Sequence, residues 1–113
     1  MSSEIDNWKT QIRKGYLELC LLMLIQRDRR LYGLELIERL TEFNLDTKEG
    51  TLYPILSRLT ADGILSAVWE TENLKGHPRK FYSLTKEGTK MLGQMETEFE
   101  HMMNIFKGLK KEK

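Results

Sequence analysis

One short stretch of the sequence carries hydrogen-bond donors at a spacing suited to reading DNA. Residues 48–59 read KEGTLYPILSRL, and five side chains that can donate hydrogen bonds fall outside its apolar positions: Lys48, Thr51, Tyr53, Ser57 and Arg58. Hydroxyl groups can donate to base edges or phosphates, and a guanidinium suits phosphate or guanine. The pattern predicts a helix that enters a major groove. The same side chains could instead form only a solvated helix face, and for Ser57 we prefer that interpretation.

A second basic cluster follows in residues 75–80, which read KGHPRK. Its glycine and proline predict a loop at the tip of a hairpin. Basic side chains on such a tip can enter a minor groove or straddle a phosphate. They can also serve only to keep an edge strand soluble. The neighbouring donor-bearing helix favours DNA, while His77 is interpreted as a turn residue rather than a ligand.

Hydrophobic periodicity predicts the elements that position these two segments. Helices are expected at residues 8–26, 32–43, 48–62 and 86–110, and strands at residues 64–71 and 79–84. Thr47 and Thr85 are predicted N-caps, and Gly63 is predicted to end the third helix. Pro54 implies either an irregular first turn or a regular helix that starts near Thr51. The order α-α-α-β-β-α predicts a winged helix-turn-helix, mainly α with a small β-hairpin.

The last predicted helix has an apolar seam that needs a partner. Leu92, Met95, Phe99, Met102 and Phe106 repeat at spacings of three and four residues, as in a coiled coil. Such a stripe could simply belong to the core, but a second copy of the chain is preferred because the other elements already supply a small core. The predicted dimer or effector interface comprises Trp8, Ile12, Leu92, Met95, Phe99, Met102, Met103 and Phe106. Residues 1–84 would then form the DNA-binding domain, with residues 8–26 also dimerising, and residues 85–113 would form a dimerisation helix.

Composition narrows the remaining function classes. The 113 residues fit one domain, and the net charge of +1 does not itself predict a nucleic-acid partner. Cys20 is the single cysteine, so no internal disulfide can form, and the cytoplasm is the expected compartment. No metal-site spacing, phosphate-binding glycine loop or nucleophile motif occurs, so we expect no enzyme, metal or cofactor. The nine-residue apolar run at residues 17–25 is too short to span a membrane.

Four segments resemble the PadR family of bacterial transcriptional regulators, in its short form. They are LYG at residues 31–33, GTLYPILSRL at 50–59, GIL at 63–65 and GHPRKFYSLTKEG at 76–88. The resemblance implies a homodimeric repressor in which the last helix packs against the first helix of the partner. It also implies flat aromatic or cationic effectors between the subunits, although Phe99 stands where well-known drug-binding members carry a tryptophan. The predicted DNA-binding residues are Tyr32, Lys48, Thr51, Tyr53, Pro54, Arg58, Lys75, His77, Arg79 and Lys80.

The resulting hypothesis is a transcriptional repressor that binds a pseudo-palindromic operator in double-stranded DNA. A small apolar or aromatic effector at the dimer interface would release the DNA, although ordinary packing without a ligand fits the composition equally well. The alternative is a winged-helix module that binds protein. Convergence of Lys48, Arg58, Arg79 and Lys80 on one face would favour DNA over that alternative.

Overall fold

The computed structural model describes residues 3–71 and 78–111 and has a mainly helical fold with a small antiparallel sheet. Its elements are α1 (Glu4–Asp28), β1 (Leu31–Tyr32), α2 (Gly33–Glu42), α3 (Glu49–Ala61), β2 (Leu65–Glu70), β3 (Arg79–Leu84) and α4 (Lys86–Lys110). The winged helix-turn-helix predicted from the sequence is confirmed.

The two long helices, α1 and α4, each begin at a hydroxyl cap. Ser3 accepts a hydrogen bond from the backbone N–H of Asp6, so α1 begins four residues before the predicted start. Thr85 accepts from the N–H of Gly88 at 2.9 Å, which confirms Thr85 as the predicted cap of α4. The Thr85 hydroxyl also donates to the carbonyls of Gly63 and Ile64, and the Thr85 N–H donates to Ile64 as well. The start of α4 is therefore joined to the turn that follows α3.

The sheet contains one strand that the sequence patterns did not predict. The strand order is β1-β3-β2, with both pairs antiparallel. The missing strand is β1, which covers two residues at the position predicted as the start of the second helix. Tyr32 ends this strand and is the N-cap of α2, where its N–H donates to Glu35 Oε1 at 3.1 Å. So short a strand carries no alternation that could predict it.

The core lies where the C-terminal half of α1 meets α2, α3 and the inner face of the sheet. Its fully buried members are mostly leucines, from every one of these elements and from the start of α4. Leu92 is 0% exposed and belongs to this core, so its predicted place at a dimer interface is wrong. On α2, Leu36 and Leu40 are fully buried in the core, whereas Leu34 and Phe43 are exposed.

The third helix departs from prediction at its start and agrees at its end. Lys48, not Thr47, is the N-cap; Thr47 is buried, and its hydroxyl donates to the Leu45 carbonyl. Helix already begins at Glu49 and continues through Pro54, so the proposed start near Thr51 is wrong. The first turn carries a shared bond, because the Lys48 carbonyl accepts from the N–H groups of both Thr51 and Leu52. Gly63 follows the C-cap with a φ of 80°, a left-handed conformation that glycine adopts at low cost.

Within the described residues, no helix combines the length and apolar character that crossing a membrane requires. The same residues contain no group of three or more histidine, cysteine or acidic side chains that could hold a metal ion.

Candidate nucleic-acid interface

The outward face of α3 consists of a narrow ridge of small side chains. Gly50, Pro54, Ser57 and Ala61 are all exposed and recur at helical spacing. Because Pro54 has no N–H, the Gly50 carbonyl lacks the donor that residue 54 would normally supply. An unengaged carbonyl on an exposed helix can accept a hydrogen bond from the amino group of cytosine or adenine. The ridge can therefore approach the floor of a groove closely.

The start of α3 borders a basic groove against α1. This groove has a volume of about 560 Å³ and is lined in part by Arg13, Lys14, Lys48 and Thr51. The Arg13 guanidinium donates to the backbone carbonyl of Asp46, which fixes α1 to the turn before α3. Lys48 and Thr51 are both exposed at the N-terminal end of α3. Their positions suit contacts with a phosphate beside the groove.

Arg58 has partners within the chain that the sequence did not reveal. Its guanidinium lies 2.7 Å from the Glu18 carboxylate on α1 and 3.9 Å from Asp62. Glu18 is partly buried, so this ion pair directs Arg58 towards α1 rather than straight outward from α3. The sequence pattern could not show this contact because 40 residues separate the two partners.

Tyr53 lies at the edge of the α3 ridge and packs against the start of α2. A Cβ added at Gly33 would lie only 2.2 Å from the Tyr53 hydroxyl oxygen, so the ring occupies the space that the glycine leaves free. Partial burial, and secondarily the carboxylate of Glu49, raises the pKa of Tyr53. The hydroxyl therefore remains a neutral donor at physiological pH. The sequence analysis predicted only a DNA contact for Tyr53, whereas the structure shows that its ring also packs against α2.

The outer face of the sheet carries a ladder of alternating aromatic and basic side chains. Arg79 lies over the ring of Tyr32 at 4.9 Å, and Tyr32 meets Phe81 edge to face at 5.4 Å. Arg30 lies over Phe81 at 4.0 Å and pairs with Glu70 at 3.2 Å. Both predicted DNA-binding residues here, Tyr32 and Arg79, are thus half-buried and packed against each other.

Lys80 lies on the opposite face of the sheet from Arg79, because successive strand residues point to opposite sides. Its ammonium is 5.5 Å from the ring centroid of Trp69, the residue directly across the strand pair. The expected convergence of Lys48, Arg58, Arg79 and Lys80 on one face is therefore not observed. Trp69 was not predicted as a site residue, although the alternation of Leu65, Ala67 and Trp69 in β2 could have placed it on this face.

A second exposed surface is apolar and runs along the outer ends of α1 and α4. On α1, the predicted Trp8 and Ile12 are exposed, and Ile5 and Tyr16 extend them at helical spacing. On α4, Met102, Met103 and Phe106 are exposed, followed by Leu109. Met95 and Phe99 are half-buried against the core, and Phe99 stacks on Tyr16 at 5.7 Å. We call this surface, from Ile5 to Tyr16 and from Phe99 to Leu109, the apolar stripe.

Comparison with known proteins assigns the chain to a family. The model of the transcriptional regulator PadR-like family matches residues 21–94, which include α2, α3, the sheet and the start of α4. The chain belongs to the PadR family. The matched region of the chain contains the α3 ridge and both sheet faces. Members of the family are DNA-binding transcriptional regulators rather than enzymes.

Solved structures of PadR proteins support this assignment over nearly the whole chain. A PadR-like transcription factor from Bacteroides fragilis is 39% identical, with 92% of this chain and 99% of that chain covered and a TM-score of 0.77. A PadR family regulator from Eggerthella lenta is 27% identical, with 96% and 94% covered and a TM-score of 0.82. A Streptococcus transcriptional regulator is 32% identical, with 89% and 98% covered and a TM-score of 0.79. No curated protein shows a significant match.

The PadR assignment confirms the family, the winged helix-turn-helix and the regulatory class predicted from the sequence. The individual DNA-binding residues remain predictions. Two of them, Lys75 and His77, lie outside the described residues. Of the remainder, Lys48, Thr51 and Pro54 are exposed on α3, and Lys80 is half-buried on the inner face of the sheet.

Proposed function

We propose that this PadR protein is a homodimeric repressor that binds a pseudo-palindromic operator. The observation that carries the proposal is the apolar stripe. It places large apolar side chains, including Trp8, Ile12 and Phe106, in contact with solvent along two helices of 25 residues each. Extended exposed apolar surface of this kind marks an interaction site.

The shape of the single chain supports a second copy as the occupant of this stripe. Its Cα radius of gyration is 16.4 Å, whereas a compact domain of this length would have about 13 Å. The excess arises because the outer ends of α1 and α4 project beyond the core. A two-fold dimer would bury the stripe of one chain against that of the other, since a two-fold interface uses the same surface on both partners.

A two-fold dimer presents two copies of α3 to the DNA. Each α3 ridge would enter a major groove, with the hairpin of β2 and β3 beside it. Two half-sites about 34 Å apart would then be read together, and the operator would share the two-fold symmetry of the protein. A dimer bound to a site that overlaps the promoter would exclude RNA polymerase and so repress transcription.

A cleft beside the apolar stripe suits a small aromatic effector. It has a volume of about 710 Å³ and is lined by side chains that include Tyr16, Cys20, Met23, Phe43 and Phe99. Burial raises the pKa of the Cys20 thiol, and the neighbouring Cys20 raises the pKa of Tyr16. Both groups are therefore uncharged at physiological pH, and the aromatic walls favour a flat apolar compound.

The dimer is tested by placing charge in the stripe. Met102→Asp combined with Phe106→Asp should weaken dimerisation by about a hundredfold or more, because two carboxylates per chain would lose their water on association. These positions are 50% and 53% exposed in the single chain, so the fold itself should tolerate the change. Light scattering should give the 13.3 kDa chain mass for the variant and twice that mass for the original protein.

The matched control is Asn104→Asp, which adds a carboxylate to the exposed opposite side of α4. This variant should remain dimeric. Operator fragments recovered from random DNA should contain two inverted half-sites, and the monomeric double variant should bind them far more weakly than the control does. A double variant that stays dimeric, or recovered sites without inverted symmetry, would contradict the proposal.

A further inference from the structure

Trp69 is an exposed aromatic side chain that no intramolecular packing requires. It lies on β2 and is 60% exposed, although tryptophan is the largest side chain available for a core. Its direct cross-strand partner is Lys80, whose ammonium lies 5.5 Å from the centroid of the indole. The two side chains form a unit with an apolar plate and a cationic end.

This unit lies on the side of the sheet that faces the helices. Alternation along β2 places Trp69 on the same face as Leu65, which is fully buried in the core. Alternation along β3 places Lys80 on the same face as Tyr82, which is also buried. The pKa of Tyr82 is raised by burial and then by its neighbour Tyr53 on α3, so this face adjoins α3. Trp69 and Lys80 extend the face beyond the core.

In the described part of the hairpin, the basic side chains on the outer face are already engaged by other groups. Arg79 is half-buried against the ring of Tyr32, and the Arg30 guanidinium forms an ion pair with the Glu70 carboxylate. Of the two basic side chains that the structure describes in β3, Lys80 is therefore the one on the same side of the sheet as α3. A cation and an aromatic plate beside α3 match a surface of alternating phosphates and deoxyriboses, because the ammonium complements the charge and the indole complements the sugar.

We propose that Trp69 is a DNA-contacting residue that acts together with Lys80. The indole packs against the deoxyribose wall of the minor groove flanking the α3 site, and the ammonium contacts a phosphate. This inference rests on the proposed function, in which the hairpin lies beside α3 on the operator. The apolar part of the contact between the hairpin and DNA would then come from Trp69, which lies outside the basic cluster of residues 75–80.

Alanine substitutions separate the two contributions. Trp69→Ala should weaken operator binding by about tenfold with little change in the salt dependence, because an apolar contact releases no counterions. Lys80→Ala should reduce the slope of log K against log salt by about one. Trp69→Phe should retain most of the affinity. The matched control is Val68→Ala, since Val68 is the adjacent residue, is 59% exposed and points to the opposite face.

Fluorescence gives an independent readout. Because Trp8 belongs to the apolar stripe, light scattering must first show that Trp8→Phe remains dimeric. In that background Trp69 is the single tryptophan, and operator DNA should change its emission in proportion to binding. The converse chain, with Trp69→Phe, reports from Trp8 on α1 and should respond much less.

The outcomes distinguish this inference from the proposed function. Unchanged affinity for Trp69→Ala, together with a reduced salt slope for Lys80→Ala, would overturn the role of Trp69 and leave the repressor intact. A loss of dimer mass in Trp69→Ala would assign the residue to self-association instead. Failure of the unmodified protein to select any DNA sequence from the random pool would overturn the proposed function itself.

Discussion

At the scale of single residues, two glycines allow side-chain and backbone contacts that hold α3 in place. Gly33 leaves room for the Tyr53 ring, which connects α3 to α2. Gly88 in α4 lies against the carbonyl of Ile64, where an added Cβ would come within 2.1 Å of the oxygen. That carbonyl also accepts hydrogen bonds from Thr85, so it cannot move away without breaking them. Neither glycine has a positive φ, so close approach is the physical reason for each.

Gly88→Ala should therefore destabilise the protein, while an alanine elsewhere on α4 should not. We expect a loss of about 1–3 kcal/mol in the free energy of unfolding, the range for a methyl group forced into filled space. Gly93 is the matched control, because nothing lies within 4 Å of an added Cβ there and alanine is the better helix former. Urea unfolding at one protein concentration measures both variants. Equal stability of the two would show that the backbone at Ile64 yields easily.

Some contacts around the site could have been predicted from the sequence, and others could not. The opposite orientations of Arg79 and Lys80 follow from strand alternation, given the correct strand bounds, so the predicted convergence was an avoidable error. The packing of Tyr53 on Gly33 and the ion pair of Arg58 with Glu18 depend on how distant helices meet. No local periodicity contains that information.

At the scale of elements, α3 accepts a proline in its interior. Pro54 is the sixth residue of the helix, where it removes the hydrogen bond to Gly50 and its ring crowds that carbonyl. Its side chain is exposed, so no core packing compensates. The lost helix stability therefore remains as a local cost.

Pro54→Ala should make the protein more stable and bind its operator less well. An interior proline costs about 3 kcal/mol, and its stiffening of the unfolded chain recovers up to about 1 kcal/mol, so the net gain should be about 2 kcal/mol. Operator affinity should fall because residue 54 would then donate to the Gly50 carbonyl. Thermal unfolding and DNA titration test the two effects, with Ser57→Ala on the same ridge as the control. Increased stability with unchanged operator affinity would show that Pro54 destabilises α3 without contributing to DNA binding.

Element bounds were predicted best where a cap and a long periodic pattern coincide. The sequence located α4 at its observed bounds, because Thr85 caps it and its apolar residues repeat at helical spacing from Leu92 to Leu109. It misplaced the start of α3 by assigning the cap to Thr47, whose hydroxyl instead bonds backward to Leu45. Both residues are threonines before a helix, and only the geometry of the preceding turn distinguishes them.

At the scale of the whole molecule, the proposed effector cleft and the proposed DNA surface lie on different parts of one small chain. If an effector releases the operator, the operator must weaken binding of the effector by the same factor. This reciprocity can be examined before any natural effector is known, by using a dye that becomes fluorescent in apolar sites.

Anilinonaphthalene sulfonate should bind the cleft of the free dimer, and saturating operator DNA should reduce its affinity. Met23→Trp fills the cleft from α1 and should abolish dye binding while leaving DNA affinity unchanged. Leu34→Trp is the control, because Leu34 is similarly exposed but lies outside the cleft lining. Dye affinity that is the same with and without operator would contradict coupling between the two sites.

The hydrogen bonds between Thr85 and the turn at Gly63 and Ile64 give α4 the mechanics of a lever. They form its fulcrum, because α4 starts there and α3 ends there. A helix of 25 residues is about 37 Å long, so a tilt of about 5° at the fulcrum moves its far end by about 3 Å. Conversely, in the proposed dimer, a shift of a few ångströms where Phe106 would contact the partner would rotate the start of α4 by only a few degrees. Because α4 is long, a movement of several ångströms at its C-terminal end corresponds to only a small change in the angle between α4 and α3.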